Sequence, residues 1–210
     1  STKSTEGFGY PWFSWELIGL FAISVASFLW FVRVERTATN PILDPSLFAN
    51  QAFAASSLAS LIMGAVFLPV IVFLPIFLVS GLGLSATTGG LTLMPLSLAF
   101  AIGNVGGGTI SSKLAQVRVV LVSGGAIAVI AYGLLGFLVA QQVPLEWLMV
   151  CTFVLGLGLG PSASLYALSA QNALGEGRAG VASGANNLFR SVGTTLGTAL
   201  LGTLLTVGLQ

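Results

Sequence analysis

Long apolar stretches, broken by short clusters of turn residues and charges, set the plan of this sequence. A helix needs about 20 apolar residues to cross a hydrocarbon core roughly 30 Å thick, and about six such runs can be marked. They are Trp12 to Val32, Ala52 to Val79, Thr88 to Ile110, Val119 to Ala140, Leu145 to Ala170, and Val181 to Val207. Between them lie Asn40 to Pro45, Ser80 to Thr87, Ser111 to Arg118, Gln141 to Pro144 and Leu174 to Gly180, which read as turns. The pattern predicts an all-α fold, a polytopic bundle of about six transmembrane helices.

The interior of these runs is unusually broken. Small residues recur at four-residue spacing in Gly103 and Gly107, Gly156 and Gly160, and Gly193 and Gly197, the spacing that lets membrane helices approach backbone to backbone. Pro69 and Pro75 fall in the second run, Pro95 in the third and Pro161 in the fifth. Each proline removes one backbone donor, and a break at that depth survives where neighbouring helices or a wet cavity satisfy the freed carbonyl. Gly103, Gly107, Gly156, Gly160, Pro161, Gly193 and Gly197 are therefore read as packing or hinge positions in a bundle with moving parts.

Sparse polar residues at helical spacing mark one face of several runs. Ser97 and Asn104 lie on the third, Ser162, Tyr166 and Ser169 on the fifth, and Asn187 and Arg190 at the start of the sixth. Interhelical hydrogen bonds account for such stripes, and so does a water-lined path. On the second reading Ser97, Asn104, Ser162, Tyr166, Ser169 and Asn187 are candidate cavity-lining residues, with Phe73 and Phe77 adding aromatic surface.

Charge narrows the class further. Of 210 residues, 55 % are hydrophobic and 6 % charged, against about 25 % charged in an average soluble domain. So few charges cannot cover a water-facing surface, and the chain is read as a membrane protein. The net charge of +1 gives no footprint for nucleic acid. The sequence has no histidine and a single cysteine, Cys151, so a histidine base, a histidine-held metal and a cysteine cluster are excluded, and no cofactor is expected. The glycine-rich stretch from Gly156 to Pro161 lacks the preceding strand and following Lys-Ser/Thr of a nucleotide loop, and nothing here reads as an enzyme.

The few cations carry topology. Arg33, Arg36, Lys113, Arg118, Arg178 and Arg190 all fall on one side if the runs alternate, with Lys3, Glu6, Glu16 and Glu146 on the other. Cytoplasmic loops hold the excess of Lys and Arg, which places the six cations inside and the chain start outside. Glu16 and Arg190 are read as lying within a few residues of an interface, which leaves mid-membrane empty of charge. Without an initiator Met, and stopping just after the sixth run, the sequence is expected to be a piece of a longer polytopic protein.

At this point the residues carry a resemblance. Glu35-Arg36, Pro41 to Asp44, Leu47 to Asn50 and Phe53, followed by Leu74-Pro75, Gly83 to Ser85, Gly90-Leu91 and Met94-Pro95, resemble the fourteen-helix drug:proton antiporter branch of the major facilitator superfamily. The glycine-rich Gly156 to Gly160 is similar to a helix of that branch, and Gly180, Ala182-Ser183, Asn187, Arg190, Gly193, Gly197 and Ala199 to its penultimate helix. The resemblance implies that residues 1–34 hold an external segment and an extra central helix, 35–51 a cytoplasmic connection, and 52–210 part of the C-terminal six-helix bundle. It implies a multidrug efflux proton antiporter of the plasma (inner) membrane, working by alternating access. Its partners would be the lipid bilayer, a small amphipathic substrate, and protons handled by the absent half. Two features depart from the pattern: Phe77-Leu78-Val79 stands where a Tyr-Leu-Gln run is usual, and Ser112 where the inter-helix signature has an Asp. Transport of a sugar, siderophore or metabolite, or a structural or accessory membrane subunit without a transport path, are the alternatives that the residues leave open.

Overall fold

A computed structural model describes residues 14–37, 45–81, 83–114, 117–141 and 143–208. The chain divides into two compact units, Ser1–Leu43 and Asp44–Gln210. The described part of the first is helix α1 (Trp15–Thr37). The Ser14 hydroxyl accepts from the Leu17 N–H at 3.4 Å, and Glu16 sits in the first turn, where a carboxylate meets the positive end of the helix dipole. Phe21, Leu29 and Trp30 stand exposed along it, a surface suited to acyl chains and not to water.

The second unit holds α2 (Gln51–Ser80), α3 (Ala86–Leu91), α4 (Leu93–Leu114), α5 (Val117–Ala140), α6 (Leu145–Leu174) and α7 (Ala179–Gly208), with short 3-10 turns at Pro45–Ala49 and Glu176–Arg178. Asn50 caps α2 by accepting from the Ala52 N–H at 3.0 Å, and its amide reaches across to the Ala173 carbonyl at 2.9 Å. One side chain thus starts α2 and ties it to the end of α6.

Among the described residues, five stretches are long and apolar enough to cross a membrane: Trp15–Glu35, Gln51–Ser80, Ala86–Ser112, Val117–Ala140 and Leu145–Leu174. The sixth expected run forms α7, which has the length at 30 residues. Its apolarity is diluted by Asn186, Asn187, Arg190 and a series of Ser and Thr, and it is not among the five. The third run is not one helix but two, broken at Thr92 between α3 and α4. Conversely α2 runs unbroken through Pro69 and Pro75, and α6 through Pro161. The turn expected at Ser111 to Arg118 shrinks, because α4 continues to Leu114 and α5 begins at Val117.

Glycines set how the helices meet. Gly193 and Gly197 of α7 lie against the carbonyls of Leu61 and Ala65 of α2, and Gly64 of α2 lies against the carbonyl of Arg190. A Cβ at any of the three would collide with that backbone. Contact positions rise together along both helices, so α2 and α7 run parallel. The same glycine-to-carbonyl interlock recurs between α4 and α6. A Cβ at Gly160 would stand 2.6 Å from the Phe100 carbonyl, one at Gly103 2.9 Å from the Leu157 carbonyl, and one at Gly107 2.5 Å from the Pro161 side chain, while Gly156 meets the Leu96 carbonyl. These helices too run parallel.

Helix α5 runs antiparallel to α6, with the Cys151 thiol donating to the Ala131 carbonyl at 3.2 Å, and Gln171 of α6 donates to Ser183 of α7 at 2.8 Å. Thus α2, α5 and α7 run one way, and α4 and α6 the other, as alternating spans require. Arg118 and Arg178, at the start of α5 and just before α7, fall at the same end of the unit. Leu74, Leu78, Leu96, Leu135, Leu148 and Leu155 form the buried core towards the opposite end.

Candidate functional site

The prolines organise the neighbourhood of two cavities. Pro69 deprives the Ala65 carbonyl of its usual donor, and that carbonyl is the one seated against Gly197. One position on, the Val66 carbonyl accepts from the Tyr132 hydroxyl of α5 at 3.0 Å. Pro161 likewise frees the Leu157 carbonyl, which faces Gly103. Three residues before Pro95, the Thr92 carbonyl accepts from the Thr152 hydroxyl of α6 at 3.1 Å. Pro69 and Pro161 thus each free a carbonyl, that of Ala65 and that of Leu157, which a bare glycine backbone on the neighbouring helix accommodates. That is the condition under which a proline persists at membrane depth.

Tyr132 and Val66 stand where the two cavities adjoin. The larger, about 550 Å³, lies among α2, α5 and α7 and is walled by Phe73, Phe77, Leu135, Leu201 and Leu204 besides Tyr132. The smaller, about 230 Å³, lies among α2, α5 and α6, with Met63, Ser162 and Tyr166 on its wall. Tyr132 supplies the polar tip in walls that are otherwise nearly all apolar, a composition suited to an apolar or amphipathic occupant.

The expected cavity-lining residues divide. Phe73 and Phe77 wall the larger cavity; Ser162 and Tyr166 wall the smaller, with the Ser162 hydroxyl donating to the Leu159 carbonyl of its own helix. Ser97, Asn104, Ser169 and Asn187 line neither. Ser97 and Asn187 point outward as exposed residues, and Asn104 and Ser169 are half-buried. Seven-residue spacing puts residues on one helix face, but it does not say which neighbour that face meets. Tyr132 was missed because it stands alone in its run, without a polar residue one turn away to mark a stripe.

Among the cations, Arg33, Arg118, Arg178 and Arg190 are exposed, and the side chains of Arg36 and Lys113 lie outside the described residues. Arg190 lies inside a helix. It comes eleven positions after the start of α7, beside Gly64 in the middle of α2, and its guanidinium donates to Asn187 Oδ1 at 3.1 Å. Among the described residues, no three His, Cys, Asp or Glu side chains gather where a metal could be held.

A second polar group is buried where α2 meets α7. Ser60 donates to Asn186 Oδ1 at 2.8 Å, whereas Asn186 Nδ2 and the hydroxyls of Ser57 and Ser164 have no hydrogen-bond partner. Ser57 lies one turn before Ser60 on the same face of α2.

Residues 5–198 match the family model described as Major Facilitator Superfamily. The chain is 34 % identical over 200 residues to Multidrug resistance protein 3 of Bacillus subtilis, covering 94 % of this chain and 38 % of that protein. It is 29 % identical over 204 residues to the Multidrug transporter protein MdtP of the same organism, covering 96 % and 37 %. With the Methylenomycin A resistance protein of Bacillus subtilis it shares 26 % over 200 residues, covering 95 % and 43 %. The chain therefore spans less than half the length of each of these relatives. No solved structure matches it at a significant level.

Proposed function

This chain belongs to the Major Facilitator Superfamily, and we propose that it is a segment of a fourteen-helix multidrug exporter that works by alternating access and proton antiport. Residues 1–34 are then an external segment and an extra central helix, 35–51 a cytoplasmic connection, and 52–210 part of the C-terminal six-helix bundle, in a bacterial-type plasma (inner) membrane. The observation that carries this reading is similarity along nearly the whole chain to two relatives named for multidrug resistance or transport.

The geometry is in keeping with it. Two parallel helix pairs interlocked at glycines pack closely enough to rock as one body, which alternating access needs of each half. Walls of Phe73, Phe77 and Leu135 with one phenolic hydroxyl suit an amphipathic cargo. Between Asp44 and Glu146 the sequence carries no Asp or Glu, so the carboxylates that exchange protons for cargo belong to the rest of the protein.

The test is transport by the full-length protein in proteoliposomes. Ethidium movement should follow an imposed pH gradient and stop when the gradient is dissipated; movement indifferent to the gradient would remove proton coupling, and no movement of lipophilic cations would remove the cargo class.

A further inference from the structure

Of the charges in the second unit, Arg190 stands furthest from a helix end. At 1.5 Å per residue it is about 16 Å along α7 from Ala179, and its carbonyl abuts Gly64, thirteen positions into α2. Arg118, by contrast, is the second residue of α5, and Arg178 precedes α7. Centred on a hydrocarbon core about 30 Å thick, the 30-residue α7 would hold Arg190 inside that core, where a charge faces protein or water unless it can snorkel out, and needs a counter-group.

The surface of α7 separates those alternatives. Val192, Leu196 and Leu200 form an exposed apolar stripe, the side fitted to lipid. Arg190 lies on another stripe, with Asn187, Ser191, Thr195 and Thr198. There the hydroxyls of Ser191, Thr195 and Thr198 are occupied, donating to the carbonyls of Asn187, Ser191 and Thr194 at 2.9, 3.0 and 2.7 Å. They have no proton left to offer a ligand, and the guanidinium does. Asn187 Oδ1 takes one of its five N–H donors. Among the described residues no carboxylate pairs with it. Glu146 is the second residue of α6, and Glu176 lies in the 3-10 turn before α7.

We propose that Arg190, oriented by Asn187, is a carboxylate-recognition residue at membrane depth, its ligand a carboxylate borne either by a helix outside this segment or by an anionic substrate. A planar fork with one edge fixed by an amide oxygen leaves the other edge for two parallel N–H···O bonds, the geometry of arginine–carboxylate pairing. Depth argues against a lipid phosphate, which sits at the interface. The proposal does not rest on transport, and both readouts below are equilibrium measurements.

The full-length protein in lipid nanodiscs is compared with Arg190→Leu and Arg190→Lys by thermal unfolding and by binding of fluorescein, which carries a carboxylate, and ethidium, which does not. A midpoint lowered by about 5 °C or more in Arg190→Leu, and recovered only in part in Arg190→Lys, which keeps the charge without the fork, assigns the carboxylate to a neighbouring helix. Failure of Arg190→Leu alone to fold is the extreme of that result. An unchanged midpoint with fluorescein affinity down about tenfold or more, and ethidium unaffected, assigns it to substrate. The proposal is overturned if Arg190→Leu keeps or raises the midpoint while both dyes bind as before, as for a lipid-facing arginine. Equal loss of both dyes without a change in midpoint overturns it as well.

Discussion

The Tyr132 hydroxyl donates to the Val66 carbonyl across the α2–α5 boundary at 3.0 Å, three residues before Pro69. The bond stands where a proline has disturbed the helix ladder, and the phenol ring forms wall for both cavities. Tyr132→Phe keeps the ring and removes the donor. Interhelical hydrogen bonds in membranes contribute about 0.6 to 2 kcal/mol, so the full-length protein is expected to lose a few degrees of thermal midpoint. An unchanged midpoint would mean that the Val66 carbonyl is satisfied without the phenol.

Little of that relationship is visible in the sequence, and the reason is general to this fold. The apolar runs located the helices of the second unit, because length and hydropathy are local properties. The cation positions grouped the ends of α5 and α7, because alternation is a counting rule. Which helices pair is another matter. Gly193 and Gly197 announce a close contact, but that its partner is α2, parallel and 130 or so positions upstream, depends on three-dimensional arrangement. Ser97 and Asn187 kept their helix faces and line neither of the two cavities described above, since a stripe records that a face is polar and not what lies opposite. Arg190 read as the edge of an apolar run, and α7, which begins at Ala179, carries it well inside a helix.

The glycine interlock makes a matched pair of predictions. Gly193→Ala places a methyl on the Leu61 carbonyl, whereas a Cβ at Gly133 meets nothing within 4 Å. Backbone cannot retract as a side chain can, and overpacking of this sort costs about 1–3 kcal/mol or more. Gly133→Ala should be neutral or stabilising by up to about 1 kcal/mol, from helix propensity alone. Thermal unfolding of both variants checks the pair; equal effects would show that the α2–α7 contact is looser than its geometry.

Two serines one turn apart on α2 should respond oppositely to the same truncation. Ser60→Ala strips Asn186 Oδ1 of its donor in a buried setting, with an expected cost of about 1–3 kcal/mol for the orphaned acceptor. The Ser57 hydroxyl is buried without a partner, so Ser57→Ala removes an unsatisfied group and should leave stability unchanged or slightly raised. The ordering of the two midpoints is the measurement, and a larger loss at Ser57 would reveal a hydrogen bond to a group outside this segment.

The polar and apolar stripes of α7 can be told apart by solvent. Cys151 is buried and donates to the Ala131 carbonyl, so it should stay silent towards a membrane-impermeant thiol reagent and leave introduced cysteines to be read alone. If the stripe of Asn187 and Thr195 faces a water-filled path in the full-length protein, cysteines there are modified, while cysteines at Val192 and Leu196, one step around the helix, are not. Lipid does not support the thiolate that such reagents attack. Both stripes are exposed in this segment, so exposure alone predicts equal labelling and a water path predicts a contrast of about tenfold or more in rate, the ratio expected when thiolate formation is disfavoured by one or more pKa units. Equal rates at Asn187 and Val192 would remove the path, and protection of Asn187→Cys by ethidium or fluorescein would place a ligand within it.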